Sequence, residues 1–318
     1  YESPSIYNVP FLYPPVYFYV SAFFAFLFGR GFFPLRFVSF FSSLVSFLMI
    51  FFIVKRETKN NWIAIISTGL FAASFRVTGA WFDIARVDSL FVAIFLVFVY
   101  FARGQDSNKK AVLVGILGAL VFLVKQTGLV ICFPIFLYLI IKNKRRGLIS
   151  LVTFLLTIGI STIIFNKFTD GWYSIYVFNL LRQQTEWIPS MFLTFWGVDL
   201  IFKLPVALLF TLLFLKNKTQ SRFVNWFWLS LLAGVLAGSF LTRVKVGGYD
   251  NVLMPLYAGL SITFGLGLNE VMETPGILLN KSSRWENALI FSFCLIQFGL
   301  LAYNPVDQVP SAADKKAG

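Results

Sequence analysis

Ten apolar runs of 14 to 23 residues, separated by short polar tracts, fill most of the chain: 35–54, 62–81, 87–102, 111–124, 128–141, 148–166, 193–215, 223–242, 250–270 and 286–303. A helix crossing a bilayer needs about 20 apolar residues, so the pattern predicts an all-α, multi-pass transmembrane helical bundle of about ten spans. Composition points the same way. The chain is 58% hydrophobic and only 13% charged, with 40 phenylalanines, against about 45–50% and 25% in soluble chains. One sphere of 318 residues cannot hide that much apolar surface, and lipid must cover the rest. Soluble enzymes, disulfide scaffolds and disordered chains are excluded on these grounds.

The net charge is +13, from 27 Lys and Arg against 14 Asp and Glu. These cations cluster between apolar runs, as in cytoplasmic loops of membrane proteins, which argues against nucleic acid as the partner. There is no histidine, so imidazole catalysis and His metal ligation are out of reach. Cys132 and Cys294 sit far apart within apolar runs and read as small buried hydrophobes.

Ahead of the first span, Tyr13-Pro14-Pro15-Val16-Tyr17-Phe18-Tyr19 opens a run to Phe28. Tyrosines crowd to the headgroup level, so 14–28 reads as an interfacial helix, with a true first span as the competing reading. The chain starts on Tyr1 and stops in a polar stretch at Gly318, and reads as a fragment cut at both ends. Residues 1–303 form its transmembrane domain, and 304–318 begin an extracytoplasmic region.

Orientation follows from counting. The tracts Lys55/Arg56/Lys59, Arg103/Lys109/Lys110, Lys142/Lys144/Arg145/Arg146, Lys216/Lys218/Arg222 and Lys281/Arg284 hold 15 basic residues. With all five on the cytoplasmic side, the spans between them must come in pairs, and they do. The same rule splits 111–141 into two short helices that meet externally at Lys125-Gln126-Thr127. A 14-residue helix reaches about 21 Å against about 30 Å of hydrocarbon, so Lys125 is expected in a pocket.

The external connections carry polar residues beside apolar helices, and ionisable groups at membrane depth are expensive and mark function. In Phe82-Asp83-Ile84-Ala85-Arg86-Val87-Asp88-Ser89, Asp88 reads either as an N-cap or as a carboxylate facing an acceptor or cationic partner. If the stretch is helical, Asp83 and Arg86 share a face and Asp88 lies elsewhere; Ser89 reads as part of the cap. Lys125 is either a snorkelling lysine or a cation waiting for a phosphate. Arg243-Val244-Lys245-Val246-Gly247-Gly248-Tyr249 pairs two cations with a Gly-Gly hinge, an anion-site pattern without the P-loop spacing. Trp172 to Trp187 reads as an interfacial amphipathic helix. Asp199 and Lys203 are expected to neutralise one another.

These motifs, in this order, resemble integral-membrane glycosyltransferases of the type C fold, the group of protein mannosyltransferases and aminoarabinose transferase. Tyr13–Tyr19, Ile84–Leu90, Lys125-Gln126-Thr127-Gly128, Gly171-Trp172-Tyr173 and Gly247 to Pro255 carry the likeness. It implies transfer of a sugar from a polyprenyl-phosphate carrier to a lipid, glycan or protein acceptor at the extracytoplasmic face of the cell membrane. It also implies a catalytic aspartate upstream of Tyr1, catalytic roles for Asp88 and Asp83, and carrier-phosphate contacts from Arg86, Lys125, Gln126, Arg243, Lys245 and Tyr249. No Asp-x-Asp motif occurs. The carboxylates could take a divalent metal, though no motif calls for one. The rival classes are a flippase or transporter of lipid-linked sugars, which wants discontinuous helices near the midplane, and a non-catalytic membrane subunit.

Overall fold

The computed structural model describes residues 5, 9, 11–183, 186–216, 222–274 and 283–309. Each expected span stands on helix: α2 Phe32–Thr58, α3 Asn61–Ala73, α4 Asp88–Arg103, α5 Asn108–Val124, α6 Gly128–Lys142 and α7 Lys144–Phe168. After the connection α8 (172–183) come α9 (Pro189–Phe202), α10 (Pro205–Lys216), α11 (Arg222–Arg243), α12 (Met254–Glu273) and α13 (Ser283–Leu301). The expected N-terminal helix is α1, Val16–Phe28, packed on α2. Among the described residues, five helices are long and apolar enough to cross a membrane, or six with α9 and α10 taken as one span. Helix α3 corrects the expectation of a 20-residue run. It stops at Ala73 and continues as a 3-10 turn over Arg76–Thr78, because Ser74, Thr78 and Gly79 turn the chain with local hydrogen bonds.

Burial sorts the helices into an axis and a rim. In the apolar window of α12, 94% of residues are buried, against 11% for α7. An apolar helix enclosed on every side needs no amphipathic stripe, whereas α7 presents Leu155, Ile160 and Ile163 outward, a face suited to lipid. Close approach relies on small residues. A Cβ at Gly234 of α11 would strike the Ile131 carbonyl of α6, and one at Gly267 of α12 the Phe210 carbonyl of α10.

The contacts fix which helix ends lie together. At one end Glu57 pairs with Arg103 (2.8 Å), Arg56 stacks on Tyr100, and Glu57, Arg103, Phe214, Val224 and Asn269 border one cavity. Arg56 and Arg103, from two of the basic tracts, thus share one end; Lys218 and Lys281 and the side chains of Arg222 and Arg284 fall outside the described residues. At the opposite end lie 79–88, 125–128, 172–183, 186–188 and 244–251. Cys132 is fully buried and Cys294 half-buried, both as free thiols.

Candidate active site

Two breaks in helix build the centre of this second end. The first is Lys125-Gln126-Thr127. Lys125 leaves α5 in extended conformation, and Gly128 opens α6 with its α-carbon so near α5 that a Cβ would sit 2.8 Å from the Phe122 nitrogen. Glycine therefore permits the tight reversal, which leaves the Lys125 side chain facing inward, 7% exposed.

The second is 79–87, an irregular stretch lying along α2. Its backbone carbonyls need donors in an apolar setting, and buried serines on α2 supply them: Ser43 donates to the Phe82 carbonyl and Ser39 to that of Arg86 (3.0 Å). Ser89 also donates to the Phe82 carbonyl (2.8 Å), so it ties the loop down and does not cap α4. Asp88 is no N-cap either. It is the first residue of α4, after Val87, and its carboxylate turns into the bundle. There Oδ1 accepts from Lys125 Nζ at 2.6 Å and from Asn251 Nδ2 at 2.9 Å. Both partners of the ion pair are buried. Asp88 Oδ2 is enclosed without a hydrogen bond, alone among the carboxylate oxygens of the described residues in being so.

The expected roles thus change in detail. Lys125 is a pocket cation, as anticipated, but it is already neutralised by Asp88. Since 81–87 is not helical, Asp83 and Arg86 do not share a face. Asp83 pairs with Arg36 of α2 beside a separate aromatic groove of about 430 Å³. Arg86 is exposed, stacked over Trp81 (5.0 Å), with Tyr13 Oη 3.5 Å from its Nη2. Tyr249, also exposed, stacks on the same Trp81 ring at 6.5 Å, so Arg86 and Tyr249 share Trp81 as a partner. Gln126 also lines the cavity described below, and its amide donates to the Leu12 carbonyl at 2.6 Å, which anchors the segment before α1.

The third contribution is the 244–251 turn. Residues 186–188 run antiparallel to it, joined by Ile188 N to Val244 O (2.8 Å) and Val246 N to Glu186 O (3.2 Å). Gly247 holds φ +83°, and a Cβ on Gly248 would strike the Thr242 carbonyl, so both glycines of the hinge are required. Arg243 points away from the expected anion site: it is engaged by Asp199 (2.9 Å) and Asp250 (2.7 Å). Lys245 has no ion-pair partner among the described residues and borders the cavity. In the connection before this turn, Tyr173 and Tyr176 are fully buried and Tyr176 stacks on Trp172, so only part of the expected amphipathic face is free. Gln184 and the Gln183 side chain lie outside the described residues.

Together these elements enclose a cavity of about 310 Å³, bordered by Tyr13, Lys125, Thr127, Lys245, Gly248 and Asn251 on its polar side and by Val130, Leu241 and Val252 on its apolar side. Such a cavity accepts an anion on an apolar stem. Asn251 is the member that sequence reading did not assign. It bonds Asp88 across 163 positions, and nothing local marks it. Among the described residues no group of three or more carboxylates and cysteines gathers as a metal cluster would.

Comparison places this geometry among known folds. The crystal structure of ArnT from Cupriavidus metallidurans bound to undecaprenyl phosphate superposes with a TM-score of 0.60 over 91% of this chain, at 13% identity. The fold is that of ArnT. The chain spans 61% of the ArnT chain, less than two thirds of its length. Residues 13–168 match the family model described as dolichyl-phosphate-mannose-protein mannosyltransferase. The matched stretch contains Tyr13, Asp88 and Lys125, whereas Lys245 and Asn251 lie beyond it. No curated protein matches the sequence. The resemblance read from the motifs therefore holds by sequence over about the first half and by fold over nearly all of the chain.

Proposed function

We propose that the chain is a membrane glycosyltransferase that moves a sugar from a polyprenyl-phosphate carrier to a lipid, glycan or protein acceptor at the extracytoplasmic face of the cell membrane. The observation that carries this reading is the cavity itself. A buried lysine, a second unpaired lysine and a Gly-Gly turn border it on one side, with an apolar wall on the other, in a fold whose relative holds undecaprenyl phosphate. In the reaction the bond between the anomeric carbon and the carrier phosphate oxygen breaks, and the electron pair stays on the phosphate. The acceptor oxygen forms the new bond and loses its proton. Lys245 offsets the charge gained by the phosphate, where low dielectric makes each contact count, and Lys125, whose charge Asp88 balances, offers N–H donors beside it. Asp88 holds Lys125 in place through their ion pair, and its Oδ2, which makes no hydrogen bond, is the proposed acceptor of that proton. Asp83, beside its own groove, is proposed for the acceptor side, and Arg86 and Tyr249, joined through Trp81, are proposed to contact the carrier phosphate.

One observation favours the rival flippase reading: α9 and α10 meet at an angle of 83°, a discontinuous span of the kind transporters use. Membranes holding the protein, supplied with radiolabelled polyprenyl-phosphate sugars, decide between the two. Carrier-dependent transfer that falls in Asp88→Asn supports the enzyme. Sugar that crosses the bilayer still on its carrier, over a panel of donors, refutes it.

A further inference from the structure

Asp199 is fully buried and belongs to none of the elements that border the cavity. It sits on α9, which is wound as π-helix from Thr194 to Phe202, just before the bend. Its Oδ1 accepts from Lys203 (2.9 Å), its Oδ2 from Arg243 Nε (2.9 Å), and its carbonyl from the Tyr257 hydroxyl of α12 (2.8 Å). Arg243 then reaches past it, with Nη1 donating to the Gly248 carbonyl (2.9 Å) and Nη2 pairing with Asp250 (2.7 Å). The same turn delivers Asn251 to Asp88. Gln297 of α13 holds the bend in place: it accepts from the Val206 and Ala207 amides (3.1 Å each) and donates to the Lys203 carbonyl (2.9 Å).

We infer that Asp199 is a positioning residue that acts through Arg243 to hold the Gly247–Asn251 turn against the cavity. The inference rests on the glycosyltransferase reading. The charge arithmetic supports it. Lys203 and Arg243 are balanced by Asp199 and Asp250, so the cluster is neutral and offers no net attraction to a phosphate. Its geometry instead ties three separate elements to one turn. A buried carboxylate with two charged partners and a charge-assisted bond to each is a rigid fastening, and a turn placed by it keeps Lys245 and Asn251 in register with Lys125.

The test is hydrogen exchange on the full chain in nanodiscs, comparing wild type with Asp199→Asn, Asp199→Glu and Arg243→Gln. Loss of a charge-assisted bond of about 1.5–3 kcal/mol predicts exchange at 244–251 faster by about ten- to a hundredfold in Asp199→Asn. Amides of α6 stay unchanged, and Asp199→Glu recovers part of the protection. Kinetically, turnover falls by about a hundredfold, the scale of a small misplacement, and KM for the carrier rises by the same factor in Asp199→Asn and Arg243→Gln, because Lys245 moves with the turn. Arg243→Gln behaves alike, and combining it with Asp199→Asn adds nothing. Unchanged exchange at 244–251 overturns the inference, as does faster exchange across the whole bundle, which marks a merely structural role. A raised carrier KM in Arg243→Gln alone overturns it too, because Arg243 would then be a phosphate ligand. A wild-type chain that transfers no sugar refutes the proposed function, and the exchange result still decides whether Asp199 holds the turn.

Discussion

Replacing Lys125 by Met removes one member of the buried pair and leaves the other. At 2.6 Å and an effective dielectric of about 20, the attraction between the charges is about 6 kcal/mol. Desolvation costs several kcal/mol per ion, so the intact pair contributes little net stability. The single variant is different. Asp88 stays buried, with Asn251 as its remaining donor, and breaking such a pair costs about 3–5 kcal/mol. At about 2 °C per kcal/mol for a chain of this size, the unfolding midpoint in detergent should fall by roughly 6–10 °C. Asp88→Asn with Lys125→Met removes both charges and should return most of that loss, while carrier-dependent transfer stays absent in both. Thermal unfolding followed by tryptophan fluorescence, with Arg103→Ala at the far end of the bundle as a comparison for non-specific loss, measures this directly. If Lys125→Met unfolds within about 2 °C of wild type, or the double variant is no better than the single, the two charges are not the coupled pair described here.

Three further outcomes are expected. Lys245→Gln, which removes an unpaired cation at the cavity border, should lower kcat/KM for the carrier by about ten- to a hundredfold, read from initial rates, since a charge-assisted contact is worth about 1.5–3 kcal/mol. Gly248→Ala must displace either the Thr242 carbonyl or the turn, so binding of undecaprenyl phosphate in a thermal-shift titration should be lost; unaltered binding would mean that the turn does not meet the carrier. Gln297→Leu leaves two buried amides and a carbonyl unsatisfied at the bend, at about 1–3 kcal/mol per group, and should lower the unfolding midpoint by several degrees with the α6 exchange pattern intact.

The sequence by itself determined the architecture. Long apolar runs have one stable answer in lipid, a helix that satisfies its own backbone, so the all-helical membrane bundle and the shared end of Asp88, Lys125 and Lys245 were legible without coordinates. The reversal at Lys125–Gly128 was legible too, because its signal is local. What only the tertiary structure decided is which charge meets which. Asp88 could cap a helix or face a cation, and the choice fell to Lys125 because α4, α5 and α12 pack so that Asn251 and Lys125 both reach it. Arg243 and Lys245 look equivalent two positions apart, yet one is held by Asp199 and the other borders the cavity. The α9–α10 bend was invisible for a similar reason: Gln297, about 90 positions away, satisfies the backbone groups that the bend exposes. Apolar periodicity places a segment in the membrane, but ion pairing inside a bundle is settled by distances of 3 Å or less between residues that share no local pattern.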